Sequence, residues 1–125
     1  MCEWSPSAES AVVVDRSAAR HARRFLDEHW CVEHAALLRA HADLVVSELV
    51  TEAVSHGTPP VVLRVDCEGA EGVVIEVSDR DPNGPHFQGV GPDEAHTTNL
   101  VEVLSDEWGV RTRPGGKTVW SRLVV

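Results

Sequence analysis

A two-layer α+β sandwich, with helices on one face of a largely antiparallel sheet, is the fold class that the sequence predicts. Two segments repeat apolar residues at helical spacing, and two pairs of β-branched runs are each joined by turn-rich connectors. Their order, β-α-α-β-β-lid-α-β-β, does not alternate strand and helix as a parallel sheet requires. Helices gathered on one side of hairpins are the remaining two-layer solution.

Residues 1–10 are polar, contain Ser5-Pro6-Ser7, and read as a flexible arm before a single domain over 11–125. Ala11-Val12-Val13-Val14 predicts a strand ending at Asp15-Arg16. From Ser17 to His29 the apolar positions Ala18, Ala22, Phe25 and Leu26 predict a helix with Ser17 as N-cap and Arg20, Arg23 and Arg24 outside. A second helical pattern runs from Ala36 to Val54 and stops at His56-Gly57 before Pro59-Pro60. Val61 to Cys67 and Val73 to Asp79 predict a hairpin across the turn at 68–72.

Residues 80–98 hold Pro82, Gly84, Pro85, Gly89, Gly91 and Pro92 without periodicity, a length and composition that suit a functional lid. Leu100, Val101, Val103, Leu104 and Trp108 predict a short helix. Val110 to Thr112 and Thr118 to Val125 predict a final hairpin around Pro114-Gly115-Gly116.

Composition narrows the function classes. The chain has 125 residues, 42% of them hydrophobic and 25% charged, as expected of one folded domain. Twenty Asp and Glu against eleven Lys and Arg give a formal net charge of −9, which repels a phosphate backbone and argues against nucleic acid. Basic residues gather at Arg16 to Arg24 and Arg111 to Lys117, either as solvated surface or as a face for an acidic protein partner. Cys2, Cys31 and Cys67 are odd in number and lack CxxC spacing, so reduced thiols and a cytoplasmic location are expected. No stretch has the apolar length of a membrane span or the pattern of an export signal.

The segment Ser47-Glu48-Leu49-Val50-Thr51-Glu52-Ala53-Val54-Ser55-His56-Gly57 resembles the helix SELVTNAVRHG of the anti-sigma-factor serine kinases. These belong to the superfamily of gyrase, histidine-kinase and heat-shock-chaperone ATPases; nine of the eleven positions match. Val77-Ser78-Asp79 with Pro82 and Pro85, Leu100-Val101 through Trp108-Gly109, and Gly116-Lys117-Thr118-Val119-Trp120 extend the similarity over most of the chain. The resemblance implies the histidine-kinase-like ATPase sandwich, an ATP or ADP site with Mg²⁺, and transcription regulation by partner switching with a sigma factor or an anti-sigma antagonist. A homodimer is common in that family.

By the same resemblance Glu48 matches the carboxylate that positions or deprotonates the attacking group, and position 52 holds Mg²⁺. Asp79 matches the acceptor of the adenine amino group, with Thr118 as its hydroxyl partner. Gly84, His96 and Thr97 fall where the lid meets nucleotide. Two departures weaken turnover: Glu52 replaces an Asn and brings charge near the triphosphate, and Ala95-His96-Thr97-Thr98 stands where the family has the phosphate loop GRGL.

Plainer roles compete. Glu48, Glu52 and His56, spaced i, i+4 and i+8, share one helical stripe that serves as a solvated face, a nucleotide site or a metal site of another kind. His56 also suits a helix C-terminus, and Asp79 suits a cap on the turn at Arg80 to Gly84. Lys117 follows a glycine, yet its surroundings read as a hairpin and exclude a P-loop. Two functions remain: a partner-switching regulator whose nucleotide pocket is impaired, which is preferred, and an active serine protein kinase acting on an antagonist.

Overall fold

The computed structural model describes residues 8–30, 36–67, 72–83 and 100–124. Within them the chain forms β1 (Ala8–Val12), α1 (Ala18–His29), α2 (Ala36–His56), β2 (Val61–Cys67), β3 (Gly72–Asp79), α3 (Leu100–Leu104), β4 (Glu107–Arg113) and β5 (Gly116–Val124). The strands make one antiparallel sheet in the order β1-β2-β3-β5-β4. The expected α+β two-layer architecture is the one observed.

Period-2 alternation assigns each strand two faces. Val61, Leu63 and Val65 on β2, Val73, Ile75 and Val77 on β3, and Val119 and Leu123 on β5 are all buried. They meet Ala18, Ala22 and Leu26 of α1 and Leu38, Val45, Leu49 and Ala53 of α2 in one core cluster. Full burial of each aliphatic side chain is worth roughly 1.5–3 kcal/mol, so this layer contact dominates the stabilisation. Ser121, buried on the same face, shares a hydrogen bond of 2.6 Å with Ser105.

The opposite face is polar. Glu9, Arg64, Glu76, Trp120 and Gly109 form one cross-strand row by register. Arg64 lies 3.6 Å from Asp66 and 3.9 Å from Glu76, and Arg111 also pairs with Glu76. Opposite charges on neighbouring strands let this face stand in water.

Three boundaries differ from expectation. β1 begins at Ala8, so residues 8–10 are strand rather than arm, because Ala8, Glu9 and Ser10 pair with Val65, Arg64 and Leu63. Val13 and Val14 leave the strand and are 45% and 44% exposed. Ser17 does not cap α1 with its hydroxyl; instead its amide and hydroxyl both donate to Asp15 Oδ1, at 2.7 and 2.5 Å. Trp108 belongs to β4, since α3 ends at Leu104 and the Asp106 amide bonds Arg122 O at 2.8 Å, starting the strand ladder. The β4–β5 turn uses Gly115 at φ 79°, a left-handed conformation that suits glycine.

Candidate functional site

The helix α2 ends where Gly57 N bonds Ala53 O at 2.9 Å, and this end lies against the last residue of β3. A Cβ at Gly57 would stand 2.6 Å from both Ala53 O and Asp79 Cγ. Only glycine therefore admits the Asp79 carboxylate so close to the helix terminus.

Asp79 is 2% exposed and gathers partners from three elements. Its Oδ1 accepts from the Asp81 amide at 2.7 Å and the Thr58 amide at 3.4 Å, closing the turn after β3 and the exit of α2. Lys117, opposite Asp79 in the β3–β5 register, brings its ammonium to 3.0 Å from Oδ2 and 3.3 Å from Oδ1. A further bond from Nζ reaches Asp81 O at 3.2 Å. Oδ2 is a charge contact of that ammonium without hydrogen-bond alignment, and no other polar group among the described residues satisfies it. Lys117 is 0% exposed and is the one lysine among the eleven basic residues of the chain.

Thr118 does not stand beside Asp79. The two project to opposite faces of the sheet, because Asp79 is in register with Lys117 and Thr118 with Ser78. Thr118 Oγ1 shares a 2.7 Å hydrogen bond with Ser78 and accepts one of 3.0 Å from Arg113. The expectation that its hydroxyl would partner Asp79 at an adenine ring is corrected on this ground. The inward position next to the carboxylate belongs to Lys117, and the alternation of residues 117, 119, 121 and 123 was the signal for it.

Glu48, Glu52 and His56 lie on α2, as their spacing required. Glu52 is buried at 5% exposure, Glu48 is half-buried, and His56 is exposed in the last turn, where a cation complements the helix dipole. Among the described residues no group of three or more His, Cys, Asp and Glu is arranged to hold a metal ion. Gly84, His96 and Thr97, with the rest of 84–99 including Ala95 to Thr98, lie outside the described residues.

A carboxylate that is to accept from an amino group must offer a free lone pair, and of the two oxygens of Asp79 it is Oδ2, without a hydrogen-bond donor among the described residues, that keeps one, while Oδ1 serves two amides and the ammonium. Glu52 has the oxygen chemistry for Mg²⁺ but is an anion where a neutral amide is expected. A groove between β1 and α1, lined by Val12, Val13, His21, Ala22, Arg24 and Phe25, is separate from these residues.

Comparison with known proteins supports the architecture. The chain matches a crystal structure of the RsbU and RsbW domains of Rv1364c from Mycobacterium tuberculosis, with a TM-score of 0.67 and 22% identity over 95% of this chain. It spans 32% of that longer chain. No family model matches the sequence, and no curated protein does. The fold is the histidine-kinase-like ATPase sandwich. Among the described residues no helix is long and apolar enough to cross a membrane.

Proposed function

We propose that the chain is a regulatory domain that acts by partner switching on a sigma factor or an antagonist of an anti-sigma factor, with a nucleotide pocket that is impaired. The observation that carries this reading is Glu52, a carboxyl side chain buried at 5% exposure on α2 where the helix it resembles has a neutral amide. The motif resemblance and the RsbU and RsbW match support the regulatory class. Leu37 and Leu44 on α2 and Val103 on α3 are 58%, 45% and 62% exposed, which suits a helical face that meets protein. Arg16, Arg20, Arg23 and Arg24 are exposed beside the negative remainder of the surface and favour an acidic partner.

The kinase alternative retains one observation. Glu48 is half-buried one helical turn before Glu52 on α2, and a carboxylate so placed can assist a serine hydroxyl. Calorimetric titration with ATP and ADP, with and without Mg²⁺, decides between the two, together with size-exclusion analysis of the chain mixed with candidate sigma factors and antagonists. Complex formation that ignores ATP, with no nucleotide heat, is expected. Saturable ATP binding with phosphate transfer to an antagonist serine, lost in Glu48→Gln, would establish the kinase instead.

A further inference from the structure

We propose that the outer edge of β1 and the groove between β1 and α1 take an extended, acidic segment of a partner protein. The segment adds to the sheet as a further strand and seats one large apolar side chain in the groove. This deepens the partner-binding reading and rests on it only in taking the occupant to be a protein.

β1 stands last in the sheet order, so among the described residues its outer backbone edge has no strand beside it. Proteins commonly blunt such an edge with lysine, proline or a bulge. Ala8 to Val14 holds one charged residue, Glu9, and no proline. Val13 and Val14 have strand chemistry, yet they lie past the last pair with β2, Val12 with Val61, and are exposed. A partner strand running past Val12 would cover them.

The groove has a cause in the sequence. Inward positions of β2 and β3 carry Val, Leu and Ile, whereas β1 puts Ser10 in register with Leu63. That short side chain leaves a cavity of about 180 Å³ between β1 and α1, floored by Leu63, Ala22 and Phe25. Ser10, Ala11, Val12 and Val13 line it in succession although alternation turns Ala11 outward, so the groove borders the backbone of the strand and not one face alone. A cavity of roughly 150 Å³ admits benzene, so one phenylalanine-sized side chain fits.

The rim selects the charge of the occupant. His21, Arg24 and Glu28 reach it from α1, and Arg16 and Arg20 are exposed beside the start of that helix. No Asp or Glu lies between Arg16 and Arg24, in a chain whose formal net charge is −9. An acidic segment is drawn to this end and repelled elsewhere. A second copy of the chain is the weaker occupant, because two-fold pairing through β1 would set the same arginines of both copies side by side.

Fluorescence anisotropy tests this with a labelled synthetic peptide in which threonine and valine alternate about a central phenylalanine, with Asp and Glu at both ends. The full native chain should bind it saturably, and amide exchange along Ala8–Val12 should slow in its presence. N-methylation of the peptide backbone, or lysine at both of its ends, should weaken binding by roughly tenfold or more. So should Arg24→Glu, an exposed change, and Ser10→Leu, which fills the groove, with circular dichroism checking each fold. Should Ser10→Leu fail to fold, the N-methylated peptide and Arg24→Glu decide.

No binding of the acidic peptide, or binding that survives N-methylation or a folded Ser10→Leu, overturns the proposal. A dimer in sedimentation that the peptide does not dissociate also overturns it, since a second copy then holds the edge. Complex formation with a sigma factor or antagonist is measured separately, so partner switching can stand when this proposal falls.

Discussion

Two carboxylates on β3 are paired with cations in opposite ways. Asp79 meets Lys117 on the inner face, where both side chains are 1% exposed; Glu76 meets Arg64 and Arg111 on the outer face, where the arginines are 51% and 61% exposed. The strand and the carboxylate chemistry are shared. The dielectric surroundings are not, and they decide what each pair does. A surface pair gives little, since water solvates either charge alone, but a buried pair binds each partner to the presence of the other. The inner pair is thus a joint between α2, β3 and β5, and the outer row is a way of keeping a sheet face wet.

Breaking the inner pair should have the largest effect. Lys117→Met leaves a buried carboxylate unpaired and should cost about 3–5 kcal/mol in urea unfolding, a large share of a stability of roughly 5–15 kcal/mol. Asp79→Asn/Lys117→Met should recover much of this, and an additive double variant would show that the two groups are not coupled. Next comes Gly57→Ala, whose methyl would overlap the Ala53 carbonyl and Asp79, with an expected loss of about 1–3 kcal/mol in the same assay. Glu76→Gln, on the outer face, should change the stability by less than about 1 kcal/mol, and a loss as large as that of Lys117→Met would erase the contrast between the faces.

The smallest effect concerns Asp15, fully exposed at the start of α1. The Ser17 hydroxyl, then the Ser17 amide, hold its carboxyl below the ordinary 3.8. A carboxyl lowered on folding contributes stability that is complete above its unfolded value and is lost as pH falls through its folded value. Asp15→Asn should therefore lie below the native chain by a constant amount near neutral pH, and the gap should close in the acid limb below 3.8. Parallel curves down to the acid limit would contradict the Ser17 contacts.

The helices and the central hairpin were legible in the sequence because apolar spacing of 3.6 or 2 leaves few alternatives in Ala18 to Leu26, Leu38 to Ala53 and Val61 to Asp79. What was not legible depended on pairing. The run Val12-Val13-Val14 drew the first strand too far along, whereas β2 fixes it over Ala8–Val12. Trp108 continued an apolar pattern after Leu104 and was expected in a helix, yet Ser121 takes it as a strand partner. At the site, Glu48 and Glu52 were placed correctly on α2, and the plain reading of Asp79 as a turn cap is visible in the Asp81 amide bond. The role of Lys117 was missed because a lysine after glycine suggests surface or phosphate, and its inward register appears only when Val119 and Leu123 are counted back along the strand.

A buried Lys117 also shapes how the molecule meets covalent chemistry. Within these 125 residues it is the sole ε-amine, and the native fold withholds it from contact with water. Enzymes that acylate or conjugate lysine, and reagents that couple through it, find no ε-amine to attack among the described residues until the start of β5 parts from the end of β3. Any tag recovered at that position would be a record of that opening.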